Sequence, residues 1–215
     1  MPSLDQIDHI RLALLPTPLE PLPRLSRMLG GPEIWVKRDD CTGLGLDGNK
    51  ARPLEYLVAE AIAEQADVLI TTGGLQSNHA RQTAAAAARC GLRCILVLIN
   101  AVSGRDDAYG TSGNMLLDRL FGARIQIEPA GTDAAGAMAA AAEQCRAEGR
   151  RPYVIPSGGS NATGVIGHVR AQRTNCWPNA THKRSRAPRS WLQAAAAAHT
   201  RDWRSAWGCV GSLPP

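Results

Sequence analysis

A lysine in the first quarter of the chain has the sequence surroundings of a nucleophilic amine. Lys50 follows a Gly-Asn pair, and apolar residues then recur at helical spacing over residues 54–62. Such a helix buries one face and holds its first turn still. A lysine there is partly desolvated and lies near the positive end of the helix dipole, and both effects favour the neutral amine that attacks a carbonyl. With three lysines (Lys37, Lys50 and Lys183) against 21 arginines, the chain has few candidates for a Schiff base.

Two glycine-containing loops carry groups that bind anions. Residues 73–81 (GGLQSNHAR) precede a helical pattern and offer backbone N–H groups together with Ser77, Asn78 and His79. The start of a helix binds carboxylate or phosphate through such groups. Residues 156–161 (PSGGSN) form a similar loop. Taken singly, either loop is more typical of an ordinary polar helix cap, and the lysine of a solvated surface.

The elements that would position these residues alternate between strand and helix. Strand patterns cover residues 33–38, 67–72, 93–99, 124–127 and 152–155. Helical patterns cover residues 25–29, 50–62, 78–90, 115–121 and 133–148, the last with Asp133 as its N-cap. This order predicts an α/β fold of βαβ units with a mostly parallel sheet. Ligands bind beyond the carboxyl ends of such strands, where both glycine loops are expected.

Several segments in one order give a resemblance to a known family. From Leu15 to about Val169 the chain resembles the fold-type II pyridoxal-phosphate enzymes of the D-cysteine desulfhydrase and 1-aminocyclopropane-1-carboxylate deaminase family. The matching segments are residues 16–19 (PTPL), 36–40 (VKRDD), 48–57 (GNKARPLEYL), 72–84 (TGGLQSNHARQTA), 113–114 (GN) and 158–162 (GGSNA). The resemblance implies a partial tryptophan synthase beta-like fold, pyridoxal 5'-phosphate as cofactor and, for the full-length family, a homodimer.

The resemblance also implies roles for single residues. Lys50 is then the Schiff-base lysine and the base that moves the α-proton of the substrate. Asn78 would bind the 3-hydroxyl group of the cofactor, and Ser77 with nearby backbone N–H groups would hold the substrate carboxylate. His79, a further substrate-binding candidate, favours the desulfhydrase branch, because the deaminase branch resembles Gln-Ser-Asn-Gln at this turn.

The implied reaction is a β-elimination that converts D-cysteine to pyruvate, sulfide and ammonia. The pyridinium ring acts as an electron sink, and the protein orients the bond that breaks. An alternative with the same fold and cofactor is the opening of the ring of aminocyclopropane carboxylate.

The resemblance divides the chain into four parts. Residues 1–65 form the N-terminal part of the large cofactor lobe, 66–160 a small α/β lobe, and 161–169 the start of a return to the large lobe. Residues 170–215 form an unmatched basic tail, which lacks the phosphate loop, the active-site tyrosine and the ring-nitrogen partner that the family carries in its second half. We therefore expect a truncated chain with weak cofactor retention and little turnover.

Charge is concentrated in this tail. Eight of the 24 Lys and Arg residues but one of the 19 acids lie from residue 170 onward, so the tail carries +7 and the rest −2. Together with the rise in Arg, Pro and Trp, this composition suggests translation in a shifted reading frame, which the coding DNA would test. A third interpretation is a non-catalytic product whose basic tail binds nucleic acid or an acidic partner. Nucleic acid is disfavoured, because no binding motif accompanies the charge.

Other classes of protein find little support in the composition. No apolar run is long enough to span a membrane, and the N-terminus lacks the pattern of a secretory signal, so the cytoplasm is the expected compartment. The six cysteines are scattered without a disulfide framework. Cys176, His182, His199 and Cys209 match no zinc-ligand spacing, and no metal site is predicted.

Overall fold

Helices flank a four-stranded parallel sheet in the computed structural model, which describes residues 6–171. The strands are β1 (Leu19–Pro21), β2 (Trp35–Lys37), β3 (Val68–Gly74), β4 (Arg93–Asn100), β5 (Arg124–Pro129) and β6 (Pro152–Val154). The helices are α1 (Pro23–Leu29), α2 (Ala51–Ala63), α3 (Asn78–Arg89), α4 (Asp107–Thr111), α5 (Asn114–Leu120), α6 (Ala134–Ala147) and α7 (Ala162–Ala171). The predictions made for residues 172–215, including the shifted reading frame and the nucleic-acid alternative, lie outside the described residues.

The main sheet has the strand order β5-β4-β3-β6, and every neighbouring pair in it is parallel. The mostly parallel α/β sheet predicted from the sequence is therefore confirmed. A separate antiparallel pair joins β1 to β2. The sequence pattern did not predict β1, because it lies in a proline-rich segment and is held by its partner rather than by its own propensity.

Alternate residues of the central strands pack into two apolar clusters on opposite faces of the sheet. Leu69, Leu96 and Leu98 join a cluster with residues of α2 and α3. Ile70 and Val97 join a second cluster with residues of α6. Strands buried on both faces explain the continuous apolar runs in the sequence. The first cluster crosses the boundary between residues 65 and 66, and the predicted division into lobes there remains a prediction.

The loop that leads into α2 has an unusual backbone. Gly45, Leu46, Asp47 and Gly48 all have positive φ angles, of 54°, 62°, 67° and 127°. For Leu46 and Asp47 this left-handed conformation costs roughly 1–2 kcal/mol per residue. Hydrogen bonds must therefore hold the turn. A local one is donated by the Thr42 hydroxyl to the carbonyl oxygen of Gly48 at 2.7 Å.

No helix among residues 6–171 is long and apolar enough to cross a membrane. The same part of the chain contains no group of three or more His, Cys, Asp or Glu side chains that could hold a metal ion.

Candidate active site

Lys50 lies where the loop meets α2 and occupies the N-cap position of that helix. Its side-chain nitrogen donates a hydrogen bond to the carbonyl oxygen of Gly158 at 2.9 Å. Burial lowers the pKa of the Lys50 amine below its ordinary value. Gly158 has a φ of 70°, a left-handed conformation that glycine adopts without strain, and so it can present its carbonyl oxygen to the amine. The primary amine of Lys50 is thus in a partly desolvated position, as a nucleophilic lysine requires.

Ser77 and Asn78 form the start of α3. The Ser77 hydroxyl oxygen accepts a hydrogen bond from the backbone N–H of Ala80 at 3.2 Å and so caps the helix. Gly73 leaves space for this serine, because a Cβ atom there would lie 2.5 Å from the Ser77 oxygen. The first N–H groups of a helix have no intrahelical acceptor, and they point toward the space before its N-terminus. This end of α3 is therefore suited to an anion.

The side chain of Asn78 is exposed but oriented. Its oxygen accepts a hydrogen bond from the side-chain amide of Asn114 at 2.9 Å and a longer one from Arg81 at 3.4 Å. With its oxygen engaged, the NH2 group of Asn78 remains as a donor. A ring hydroxyl or phenolate oxygen of a bound ligand is a matching acceptor.

Gln76 and Asn114 fix the turn from the side of α5. The Gln76 side chain donates to the carbonyl oxygens of Tyr109 at 2.7 Å and Ser112 at 3.0 Å, and its oxygen accepts from the backbone N–H of Asn114 at 2.8 Å. The Asn114 side chain donates in return to the Gln76 carbonyl at 2.8 Å. Gly113 permits this exchange, because it has a φ of 58° and a Cβ atom there would lie 2.6 Å from the Gln76 side-chain oxygen.

His79 lies in the interior, 4% exposed, beneath the same turn. Its Nε2 atom is 2.9 Å from the Thr71 hydroxyl, which itself donates to the carbonyl oxygen of Ile155. Burial, followed by the positive charge of Lys50, lowers the pKa of His79 to about 3, against an opposing effect of the Pro156 backbone. The imidazole is therefore neutral at physiological pH. The predicted contact between His79 and a substrate remains a prediction. The buried ring contacts Thr71 beneath the turn.

His168 on α7 is a second histidine that the charge of Lys50 affects. Burial first, then the charges of Lys50 and Arg52, lower its pKa to about 4, while Asp39 acts in the opposite direction. From the sequence, a surface or packing role was the expected one for this residue. Its position became visible only in the structure, because α7 is distant from Lys50 along the chain.

A buried ion pair lies two residues beyond Lys50. The Arg52 guanidinium, 2% exposed in its side chain, is 2.8 Å from a carboxylate oxygen of Asp39. The Thr17 hydroxyl donates to the same carboxylate at 2.8 Å and accepts from Arg52 at 3.1 Å. This network anchors the first turn of α2 to residues that flank the strand pair, Thr17 before β1 and Asp39 after β2. The sequence offered no signal for it beyond the charged segment that follows β2.

The site residues predicted from the sequence meet in part. Lys50 contacts the loop of residues 156–161 directly, and its charge acts on His79 below the turn of Ser77 and Asn78. No direct hydrogen bond between Lys50 and Ser77 or Asn78 occurs within residues 6–171. The arrangement fits pyridoxal phosphate at two points, since a desolvated amine suits the aldehyde carbon and the Asn78 amide suits the 3-hydroxyl group.

A parallel α/β sheet whose loops carry a partly desolvated lysine and an open helix start has the chemistry that an enzyme with a carbonyl cofactor needs. The family described as "Pyridoxal-phosphate dependent enzyme" matches residues 10–173 of this chain. The chain therefore belongs to the pyridoxal-phosphate dependent enzyme family, and the predicted cofactor is confirmed. The match ends close to Arg170, where the resemblance was predicted to stop.

The chain is also similar to individual proteins of known activity or structure. The chain is 50% identical over 167 residues to the D-cysteine desulfhydrase of Klebsiella pneumoniae, covering 78% of this chain and 51% of that protein. It is 49% identical over 166 residues to that of Salmonella paratyphi B, covering 77% and 50%. The crystal structure of an ACC deaminase homologue matches with a TM-score of 0.72 at 39% identity, covering 85% of this chain and 53% of that one. The predicted fold class is confirmed, and the chain spans about half the length of these relatives.

Proposed function

We propose that this chain carries the cofactor lysine and the carboxylate-binding turn of a lyase that releases sulfide from D-cysteine. The observation that carries the proposal is the Lys50 amine, desolvated and hydrogen-bonded to Gly158, in a chain 50% identical to a D-cysteine desulfhydrase. A small amino acid is the proposed substrate and the cytoplasm the proposed compartment.

Substrate binding, cofactor binding and proton transfer are assigned to different residues of the site. Bound pyridoxal phosphate supplies an electron sink for the α-carbon of the substrate. Ser77 and the N–H groups at the start of α3 hold the substrate carboxylate, and the Asn78 amide holds the cofactor ring by its 3-hydroxyl group. Lys50 takes the α-proton, for which its lowered pKa is suited because more of the amine is neutral near pH 7.

The products follow from the substituent on the β-carbon. When the α-proton leaves, its bonding pair forms the new carbon–carbon double bond, and the carbon–sulfur bond breaks with its pair on sulfur. Sulfide departs, and water then replaces the amino group to give pyruvate and ammonia. His79 beneath the turn is neutral and adds no charge beside Lys50, so burial is the effect that lowers the pKa of the amine.

The opening of the aminocyclopropane carboxylate ring is a second candidate. It is supported by the 39% identity to the ACC deaminase homologue over 85% of this chain. The two reactions are separated by their products, because ring opening gives ketobutyrate and ammonia without sulfide. We expect sulfide and pyruvate from D-cysteine to exceed ketobutyrate, and the reverse order would favour the second candidate.

Covalent trapping tests the lysine assignment without requiring turnover. The full chain is incubated with pyridoxal phosphate, reduced with borohydride and digested for peptide mass spectrometry. We expect the cofactor on the peptide that contains Lys50, while the peptides of Lys37 and Lys183 serve as controls in the same sample. Lys50→Ala should remove the label. A label that persists in this variant, or that lies mainly on another lysine, would refute the assignment.

The low turnover and weak cofactor retention expected from the sequence belong to this proposal and can be measured directly. The chain spans about half the length of the relatives it matches. Sulfide release from D-cysteine and cofactor loss during gel filtration measure the two quantities. Fast sulfide release with no cofactor loss would contradict this expectation, and sedimentation of the same sample would report whether the chain forms a dimer.

A further inference from the structure

The loop before Lys50 is held by a residue outside it. Arg81, on the second turn of α3, donates hydrogen bonds from its two terminal nitrogens to the carbonyl oxygens of Gly45 and Asp47, the second at 2.9 Å. These carbonyls belong to the run of positive φ angles at residues 45–48. We propose that Arg81 is a positioning residue that holds this left-handed turn closed and thereby sets the position of Lys50.

The geometry explains why an arginine is needed. The carbonyl oxygens of Gly45 and Asp47 in this turn accept hydrogen bonds from a side chain outside it. The planar guanidinium offers several N–H donors in a fixed fork. One side chain therefore engages two carbonyls of the same turn. Small residues let α3 approach, because a Cβ atom at Gly45 would lie 2.5 Å from that of Ala85. A lysine or glutamine at position 81 would not span both carbonyls in this way.

A second side chain of α3, that of Gln82, hydrogen-bonds to the other end of the loop. The Gln82 side-chain oxygen accepts a hydrogen bond from the backbone N–H of Ala51 at 2.9 Å. Ala51 is the first residue of α2, so Gln82 satisfies one of the N–H groups that the helix leaves open. Lys50 is thus enclosed between two points that α3 fixes, the carbonyl of Asp47 and the N–H of Ala51.

Arg81 carries its positive charge in the protein interior, where a charge is costly unless it is paired. Arg81 is 4% exposed, and Asp118 on α5, also buried, is its largest opposing charge. Among residues 6–171, Arg81 Nε and both Asp118 carboxylate oxygens lack a hydrogen-bond partner. A buried cation with donors left over is costly to maintain for packing alone. Its two bonds to the turn give it a role that an apolar side chain of equal size could not fill.

The same helix carries the substrate turn at its start. Arg81 also reaches the Asn78 oxygen at 3.4 Å, so the residue contacts both the Lys50 loop and the turn that the proposed function assigns to cofactor and substrate. The catalytic importance of Arg81 rests on the proposed function of Lys50. Its hydrogen bonds to the loop are independent of that function, and the experiment measures the loop and the amine in the absence of cofactor.

The test uses three variants of the full chain. Arg81→Gln removes the fork, and Arg81→Gln/Asp118→Asn removes it together with the opposing buried charge, in case the first variant does not fold. Arg89→Gln is the matched control, because Arg89 lies on the same helix and donates to a carbonyl of a different segment, that of Leu12, at 3.0 Å.

Two measurements are made on each variant. The first is hydrogen exchange of the Gly43 and Ala51 amides, whose acceptors are the Asp47 carboxylate and Gln82. The second is competitive acylation of Lys50 across a pH series, read from its peptide. The midpoint of the series reports the amine pKa, whereas a change of accessibility alone alters the rate and not the midpoint.

Loss of the fork should loosen the loop and hydrate the amine. In the Arg81 variants we expect exchange at both amides to rise about tenfold with little change in β4. The Lys50 midpoint should rise by about one pH unit, which lowers its neutral fraction about tenfold. Arg89→Gln should leave both measurements unchanged. Folded Arg81 variants with wild-type exchange and midpoint would overturn the inference, whereas a wild-type chain that takes up no pyridoxal phosphate would count against the proposed function alone.

Discussion

At the scale of single residues, the site combines a depressed lysine pKa with neutral neighbours. His79 and His168 have pKa values of about 3 and about 4, so neither carries a charge near pH 7. A carboxylate beside Lys50 would have favoured the ammonium form, whereas neutral rings leave the desolvation of the amine uncompensated. The neutral groups near Lys50 thus favour its neutral amine, which is the reactive form.

Asp118 gives a prediction about pH and stability. Burial raises the pKa of this carboxyl to about 7, against the lowering effects of Arg81 and Arg119. A carboxyl whose pKa is higher in the folded state contributes stability at low pH, and this contribution is lost as the pH rises through the folded value. Asp118→Asn should therefore gain about 2 kcal/mol over the wild type between pH 5 and pH 8.

Urea unfolding of both chains at several pH values measures this difference. Comparing the variant with the wild type removes the contributions of other groups, such as Asp67, whose pKa is lowered chiefly by a hydrogen bond from the Arg151 backbone. A difference in unfolding free energy that stays constant, or that falls as the pH rises, would contradict the raised pKa of Asp118.

At the scale of elements, α2 and α7 cross so closely that the crossing depends on glycine. A Cβ atom at Gly167 would lie 2.9 Å from the backbone nitrogen of Pro53 and closer still to the carbonyl oxygen of Arg52. Because these are backbone atoms, the helices would have to separate to admit it. Gly167→Ala should destabilise the chain by about 3 kcal/mol, as overpacking of a tight contact does.

Gly110→Ala is the matched control for this prediction. Gly110 also lies inside a helix, α4, but a Cβ atom there would meet no atom within 4 Å. The alanine should be neutral or stabilise by about 0.5 kcal/mol, since it reduces the freedom of the unfolded chain. Equal destabilisation by the two substitutions in thermal unfolding would show that the helix crossing is not the cause.

The elements themselves were largely predictable from the sequence. The strands β3 to β6 and the helices α2, α3, α5 and α6 lie where apolar runs and helical spacing placed them, and Asp133 caps α6 by accepting from Ala135. The short helix α4 was missed, because its few residues show no apolar period. Local patterns are enough for these elements because propensity and burial act on neighbouring residues.

The site was less predictable, since its parts are brought together by tertiary contacts. The motif resemblance supplied Lys50, Ser77, Asn78 and His79 as site candidates, but no local pattern indicated that His79 would be buried or that His168 would come near Lys50. The left-handed turn at residues 45–48 was also not predicted. Leu46 and Asp47 have no preference for positive φ strong enough to reveal it, and the hydrogen bonds from Arg81 to this turn come from a residue distant in sequence.

At the scale of the whole molecule, the N-terminal segment contacts helices on both sides of position 65. The backbone N–H groups of Leu12 and Ala13 donate to one oxygen of Glu55 on α2, at 3.0 Å and 2.9 Å. The carbonyl oxygen of Leu12 accepts from Arg89 on α3 at 3.0 Å. One apolar cluster includes residues of this segment, α2, α3 and the sheet. Residues on both sides of position 65 therefore share their packing.

Shared packing predicts a single unfolding transition for the described part of the chain. Hydrogen exchange at increasing urea should show the amides of α2 and β4 losing protection together, because neither element can leave the cluster alone. Glu55→Ala should lower the unfolding free energies of both elements equally, by about 2 kcal/mol, since two buried N–H groups lose their acceptor. Arg146→Ala, which breaks an exposed pair with Glu143, should change them by less than about 0.5 kcal/mol. If α2 loses protection at clearly lower urea than β4, residues 1–65 and 66–160 are separate folding units and the shared cluster does not couple them.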